Sequence, residues 1–405
     1  MMDPMDFSIG TTNPGTFPTE DLAEAAARAV REHGVELNTY PGSLGHEGLR
    51  RLMAKRELER EGVAMDPERI MLTNGSMQAV TLVAETLCQG RDDVVVMEEY
   101  SYSGTITAYK SLGIEMVGVP IDEHGMNTEV LAKTLARLDK EDRLPRFIYT
   151  IPTYQNPTGA VMPRERRIEL LRLAREYDCI VVEDNCYGDV HFEASPKPPA
   201  LYALDDGPNQ IYMCSLSKIF APGVRLGYLT ASSDELLDRL IARRHDAGPN
   251  TLAAAITAQY LEDNLWEHCE RANVGLKEKR DAMLNALEAE LGELCSWSHP
   301  PGGLFIWVQV PDGVDLDELE ALAAEHEVSF AHGRDFHIHA DRGPFIRLAF
   351  GWATVSDTRE GIARLARCIE QVQAGSRDVC LPEPKGPRQS TDWKDAPAFP
   401  DGVHG

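Results

Sequence analysis

Long apolar runs are missing from this sequence, as are paired cysteines, a basic leader and any excess of positive charge. No stretch approaches the roughly 20 apolar residues a membrane-spanning helix needs. The N-terminus carries Asp3 and Asp6 and no basic segment ahead of an apolar one, so no secretory signal is read there. The expected address is the cytoplasm, without a membrane partner. The formal charge is −25, from 65 acidic and 40 basic side chains. Binding to nucleic acid, which sets Lys and Arg against phosphates, is disfavoured by that balance. A local basic pocket for a small anion remains open. The eight cysteines, at positions 88, 179, 186, 214, 269, 295, 368 and 380, contain no CxxC pair. Neither a zinc ribbon nor a disulfide scaffold follows, and reduced, mostly buried thiols are expected. There is no internal repeat.

What is present is a long alternation of short apolar runs with helical segments. At 405 residues the chain exceeds one ordinary core, and two domains around a cleft are expected. Helices are read at 22–33 and 48–61, the second closed by Gly62. Strands are then read at 70–72, 93–97, 115–119, 146–151, 179–183 and 210–214. Helices at 77–88, 102–112, 128–138 and 164–177 fall between them. Near-continuous apolar strands separated by helices predict an α/β fold, with a mostly parallel sheet buried on both faces. The loops after such strands gather along one edge. Beyond Pro249 the texture changes to a long helical stretch from 252 to 291. Strands at 304–310, 328–331 and 345–350 and helices at 316–325 and 357–373 then predict a smaller α+β domain. The expected boundaries are an N-terminal segment joining the small domain (1–44), a large domain (45–250), a small C-terminal domain (251–375) and a tail (376–405) rich in Pro, Asp and Lys.

Four segments at strand ends carry candidate chemistry. Ser215-Leu216-Ser217-Lys218 places a lysine where it would face the cleft, and a lysine amine of lowered pKa suits an aldehyde cofactor. Taken alone, most lysines are solvated surface groups. Arg225 follows seven residues later, and its guanidinium suits a bidentate phosphate contact. In Glu183-Asp184-Asn185-Cys186-Tyr187 an acidic pair ends an apolar strand; a buried carboxylate there needs a partner, such as a protonated pyridine nitrogen, or is simply a helix cap. Asn156-Pro157-Thr158-Gly159 is good turn chemistry, or a rigid mount for the Asn156 amide. Thr73-Asn74-Gly75-Ser76-Met77 lies between strand and helix, where backbone N–H groups bind anions.

In combination, Gly75-Ser76, Asn156-Pro157-x-Gly159, Asp184-x-x-Tyr187, Ser215-x-x-Lys218 and Arg225 resemble the fold-type I, class I/II aminotransferases that use pyridoxal phosphate (PLP). The segment Glu98 to Gly104 is most similar to the branch holding 2-aminoadipate and kynurenine aminotransferases and the effector domains of MocR-type regulators. The resemblance covers roughly residues 7–372. It implies a fold-type I PLP-dependent transferase that moves the amino group of an α-amino acid to a 2-oxo acid. It further implies that Lys218 carries the cofactor as a Schiff base and shuttles the proton. Asp184 would pair with the pyridinium nitrogen, and Asn156 and Tyr187 would bond the phenolic oxygen. Tyr102 would stack on the ring, with the phosphate held by Ser76, Met77 through its backbone, Ser215 and Arg225. Tyr40 would reach the phosphate of a neighbouring subunit, which implies a homodimer. Arg347 would clamp the substrate α-carboxylate, with Gly10 close to the substrate.

Three departures bear on the substrate. His332 stands where the family often has proline, with His337 and His339 close behind; cleft or surface polarity is expected of these histidines rather than a metal site. The branch's Asp-x-Pro-Tyr reads Asp184-Asn185-Cys186-Tyr187, and Cys186 is expected to be a small packing residue. Tyr154 and Gln155 receive no role. The rival reading is another PLP reaction on the same scaffold: elimination, replacement, decarboxylation or oxidation. A cofactor-sensing regulator would need a DNA-binding region, for which the roughly forty residues ahead of the pattern leave little room. Which amino acid is used is not legible.

Overall fold

The computed structural model describes residues 5–375 apart from 91, 206, 208, 341 and 342. The expected tail at 376–405 lies outside the described residues. Helices α1 (Thr19–His33) and α2 (Glu47–Glu61) come first, and α2 ends on Gly62 in the left-handed conformation. Strand β1 (Met71–Thr73) leads into helix α3 (Ser76–Leu87), followed by β2 (Val94–Glu98), α4 (Ser103–Ser111) and β3 (Glu115–Val119). A small hairpin, β4 (Ile121–Asp122) and β5 (Gly125–Met126), precedes α5 (Thr128–Lys140). The Asn127 carboxamide caps α5 by accepting from the N–H groups of Glu129 and Val130. Then come β6 (Phe147–Thr150), α6 (Arg164–Glu176), β7 (Ile180–Asp184), the single turn α7 (Leu201–Leu204), β8 (Gln210–Ser215), β9 (Gly227–Ala231) and α8 (Asp234–Arg243).

These strands form a seven-stranded sheet in the order β1-β9-β8-β7-β6-β2-β3. Its apolar strands are buried along their whole length in β2, β6 and β8, as a sheet covered on both faces requires. The β2, β3, β6, β7 and β8 pairings are parallel, whereas β9 runs antiparallel to both β8 and β1. All six strands expected here lie within one residue of their observed places. Neither β9 nor α8 was expected. The strand β9 is a short run hidden behind the Arg225 loop, and its register depends on Gly227, where a Cβ would stand 2.8 Å from the Cys214 carbonyl oxygen.

Helix α9 (Thr251–Leu291) is one unbroken rod of 41 residues, held between α1 and α11 (Val355–Ala374). A second, antiparallel sheet has the order β10-β11-β13-β12, from β10 (Ser296–Trp297), β11 (Phe305–Gln309), β12 (Ala331–His332) and β13 (Phe345–Ala349), with α10 (Leu316–Glu325) before β12. The strand expected at 328–331 is displaced: the backbone at Ser329 pairs with Asp6 and Phe7 of the N-terminal segment, and ladder pairing with β13 begins only at Ala331.

A buried ionic network fastens α2 to the large sheet. Arg56 donates to Asp189 from Nε at 2.8 Å and to Glu57 at 2.7 Å. Arg60 reaches Asp189 at 3.2 Å and Glu57 at 2.6 Å, and Tyr202 also donates to Glu57. Burial pushes the Asp189 carboxyl up, but Arg56 and Arg60 outweigh it and hold it down at about 2. Asp189 follows β7 by only a few residues, so the network pins the loop that follows Asp184 and carries Tyr187.

Truncating Arg56 to alanine strands Asp189 and Glu57 in the interior. We expect Arg56→Ala to lose about 3–5 kcal/mol of stability in urea unfolding. Because the folded Asp189 value lies below the unfolded value of about 3.9, its stabilisation is present above that pH and is lost as pH falls toward 2. An unchanged unfolding midpoint would place the anchor elsewhere.

Candidate active site

The carboxyl ends of the parallel strands open on a cavity of about 320 Å³. The loop after β1 contributes an anion seat. Gly75 caps α3 with φ of 74°, and a Cβ at this position would lie 2.8 Å from Arg225 Nη2, so the guanidinium closes directly over the helix start. The first N–H groups of α3 have no acceptor within the helix and carry its positive end. A cation beside that end is repelled unless an anion sits between them, and among the described residues Arg225 pairs with no carboxylate. Ser76, Met77, Ser215 and Ser217 line the same part of the cavity.

The second part is built around Asp184, which ends β7 and is 4% exposed. Tyr149 donates to its Oδ2 at 2.7 Å and the Cys186 thiol to its Oδ1 at 2.8 Å. Burial pushes the Asp184 carboxyl up, and these hydrogen bonds only partly oppose it. Among the described residues no cation pairs with this carboxylate. Cys186 packs in the buried core as expected, and its side chain also lines the cavity and holds a carboxylate oxygen. Asn156 and Tyr187 stand together, with Asn156 Nδ2 donating to the Tyr187 hydroxyl at 3.4 Å. Tyr102 packs over Gly104, where a Cβ would come within 2.7 Å of the phenol ring.

The third part faces the first two. The Lys218 amine donates to the Gly10 carbonyl, and burial pulls it down to about 8, with Arg347 and Arg225 pushing the same way. Gly10 must lack a side chain, since a Cβ would lie 2.6 Å from the Phe305 ring. Arg347 on β13 is 6% exposed and lies between two aromatic rings, 4.2 Å from the Phe305 centroid and 4.5 Å from that of Phe336. It donates to Asn156 Oδ1 at 2.9 Å and to the Ser8 carbonyl, and its Nε has no partner. Burial lowers this guanidinium to about 10, since the described residues supply no carboxylate within ion-pair distance.

The expected residues thus converge on one cavity, with Tyr40 as the exception. Tyr40 is 86% exposed and does not line the cavity. The three histidines do not converge. His332 Nε2 lies 3.1 Å from Glu320, His337 packs on the Tyr100 ring at 4.8 Å, and the His339 N–H donates back to His337. Tyr154 donates to or accepts from His191, and Gln155 staples its own turn by accepting from Thr158 and donating to the Tyr100 carbonyl at 2.7 Å. Sequence reasoning missed Ser8, Ile9, Ile151 and Phe305 in the wall, and Tyr149 behind Asp184. A tyrosine inside an otherwise apolar strand was the available signal for Tyr149; Phe305 had none.

The Lys218 amine is a nucleophile only when unprotonated. Its capture of PLP by the cofactor-free protein should rise about tenfold per pH unit up to pH about 8 and level off above it. Stopped-flow absorbance from pH 6 to 10 measures this, and a rate flat across that range would refute it.

The family described as aminotransferase class I and II matches residues 3–365. The aromatic-amino-acid aminotransferase 1 of Thermococcus litoralis is 34% identical over 371 residues, 91% of this chain and 88% of that protein. The crystal structure of a multiple substrate aminotransferase from Thermococcus profundus superposes with a TM-score of 0.87 at 32% identity, covering 93% of each chain. That of LysN, an α-aminoadipate aminotransferase from Thermus thermophilus complexed with N-(5'-phosphopyridoxyl)-L-leucine, gives 0.85 at 32% identity over 92% and 93% of the two chains. The cavity fits the cofactor on its own geometry: an anion seat at α3, a buried carboxylate without a cation, and an amine of lowered pKa beside them. Relatives named as aminotransferases do not favour the rival reactions. The chain belongs to the class I and II aminotransferases, with the fold-type I architecture, and is a PLP-dependent enzyme of amino-group transfer.

Proposed function

We propose that this enzyme moves the amino group of an α-amino acid with an uncharged, apolar or aromatic side chain to a 2-oxo acid. One observation carries the reading: the Lys218 amine and the Arg347 guanidinium open on the same cavity, and neither has a carboxylate partner among the described residues. Among the described residues, the cavity wall includes the apolar side chains of Ile9, Ile151 and Phe305 and, besides Lys218, Arg225 and Arg347, no further cation. A large apolar side chain suits such walls.

Arg347 takes the substrate α-carboxylate in a bidentate contact, its plane set by the Phe305 and Phe336 rings. That fixes the direction of the Cα–H bond. Bound PLP supplies an electron-withdrawing ring that makes the Cα proton acidic. Asp184 would hold a proton at the ring nitrogen, and its burial would strengthen that attraction. Asn156 and Tyr187 would offer an N–H and an O–H to the phenolic oxygen, with Tyr102 beside the ring. Ser76, the Met77 N–H, Ser215 and Arg225 would hold the phosphate. Lys218, with its pKa near 8, takes the Cα proton and returns it. The absence of a side chain at Gly10 leaves space for the substrate.

The proposal includes a homodimer. Tyr40 and Val35 are 86% and 84% exposed on the N-terminal segment, large side chains that a second copy would cover. Tyr40 would reach that copy's phosphate. The reading also divides the chain at about 44, 250 and 375, and it gives the protein a cytoplasmic address. Among the described residues no helix is long and apolar enough to cross a membrane.

Lys218→Ala should abolish turnover and leave the protein folded; full activity in that variant would end the proposal. Arg347→Ala should raise KM for α-amino acids on the order of a hundredfold, from losing a bidentate contact worth about 3 kcal/mol. A donor screen read by keto-acid formation, with ammonia assayed in parallel, tests the reaction itself. Ammonia without a matching amino product would count against transfer. Gel filtration tests the dimer, and a fully active monomer would remove the role of Tyr40.

A further inference from the structure

Asp184 is gripped from both sides by neutral donors, and this carries an inference beyond the roles above. Tyr149 on β6 is fully buried, and its hydroxyl lies 2.7 Å from Asp184 Oδ2 and 3.1 Å from Thr105 Oγ1. Since Tyr149 gives its proton to the carboxylate, Thr105 donates to Tyr149, and the three form a directed chain. On the other side the buried Cys186 thiol lies 2.8 Å from Oδ1 and lines the cavity. Burial first, and the Asp184 charge second, push this thiol well above its ordinary range, so it keeps its proton and remains a donor.

The other titratable groups around Asp184 do not supply a countercharge. Glu98 of β2 is pushed up to about 7 by burial, with Thr150 donating to it and Asp184 adding to the rise. Tyr102 and Tyr109 approach from α4 and its start, and Tyr187 from the loop after β7, all with hydroxyl pKa values raised, chiefly by burial. Lys218 lies across the cavity and makes its hydrogen bond to Gly10 instead. The basicity of Asp184 is thus set by burial working against two hydrogen bonds.

We propose that Cys186 and Tyr149 are positioning residues that act through Asp184: one hydrogen bond on each carboxylate oxygen fixes its orientation and weakens its hold on the proton of the cofactor's ring nitrogen. This rests on Asp184 being the partner of that nitrogen. Removing a donor makes the carboxylate more basic, so it holds the ring proton more firmly. The added positive character of the ring then loosens the proton at the Lys218 linkage. The pH midpoint of the bound cofactor's visible absorption therefore falls.

The experiment is a spectrophotometric pH titration of the PLP-loaded dialysed enzyme, without substrate. Cys186→Ala should lower the midpoint by at most about 0.4–1.1 pH unit, the size of one lost neutral hydrogen bond. Cys186→Ser, which keeps a donor, should restore it, and Tyr149→Phe should shift it in the same direction as alanine. Asp184→Asn, which removes the carboxylate, should move the midpoint up. Equal shifts in Cys186→Ala and Cys186→Ser would assign the effect to volume and overturn the proposal. So would a wild-type midpoint in Cys186→Ala alongside a moved one in Asp184→Asn. A wild-type midpoint in Asp184→Asn itself would instead overturn the reading of Asp184 on which the proposal rests.

Discussion

Buried charge without a countercharge, at the wall of the cleft, is the constraint on which the rest of the molecule depends. Asp184 and Arg347 are both buried, and neither meets an opposite charge among the described residues. Lys218 faces the same space with its amine pulled toward neutrality. Burying an ion without a partner is among the costliest arrangements a protein can hold. Here each group is held by neutral contacts that satisfy its geometry without cancelling its charge: Tyr149 and Cys186 on Asp184, the Gly10 carbonyl on Lys218, Asn156 and two rings on Arg347. The charges are left to be balanced by what binds. A cofactor with an anionic phosphate and a protonatable ring, and a substrate with a carboxylate, meet that demand term by term.

Such a cavity needs rigid walls, and the surrounding structure supplies them with ionic and polar staples. The Arg56 and Arg60 network ties α2 to Asp189, just beyond the loop holding Cys186 and Tyr187. Arg167 does the same for the preceding loop. It is fully buried and donates to the carbonyls of Pro152, Met162 and Pro199 and to the Thr153 hydroxyl, at 2.8–3.0 Å. Gln155 closes the turn that presents Asn156. The Arg56 and Arg60 staples cross between elements far apart in the chain, and Arg167 and Gln155 fasten the loop beside them, so Asp184, Asn156 and Tyr187 are held as one rigid group.

Much of this was legible in the chain. A parallel sheet buries both faces of its strands, so the apolar runs at β2, β6 and β8 announced themselves. Ligand sites in such sheets form where the strands end, which is why Lys218, Asp184, Asn156 and Ser76 stood out together as candidates. The strand β9 escaped because its five residues follow directly on the loop that carries Arg225, and its place depends on the close approach of Gly227 to β8. Ser329 was read as part of a strand beside β13, but the N-terminal segment competes for its backbone, and local pattern carries no trace of that competition.

By itself, the sequence determined most of the order of strands and helices, β9 and α8 excepted, together with the motifs at the strand ends and thereby the family, because these follow from local periodicity and short motifs. Tertiary structure alone decided how those residues meet. Phe305 and Phe336 enclose Arg347 from β11 and from the turn after β12. Gly10 comes within reach of Lys218 from more than two hundred residues away. Tyr149 becomes a donor to Asp184 only because β6 and β7 lie side by side in the interior. The physical reason is the same in each case: a hydrogen bond or a ring contact depends on distances of a few ångströms between segments remote in the chain, and only the packed interior sets those distances.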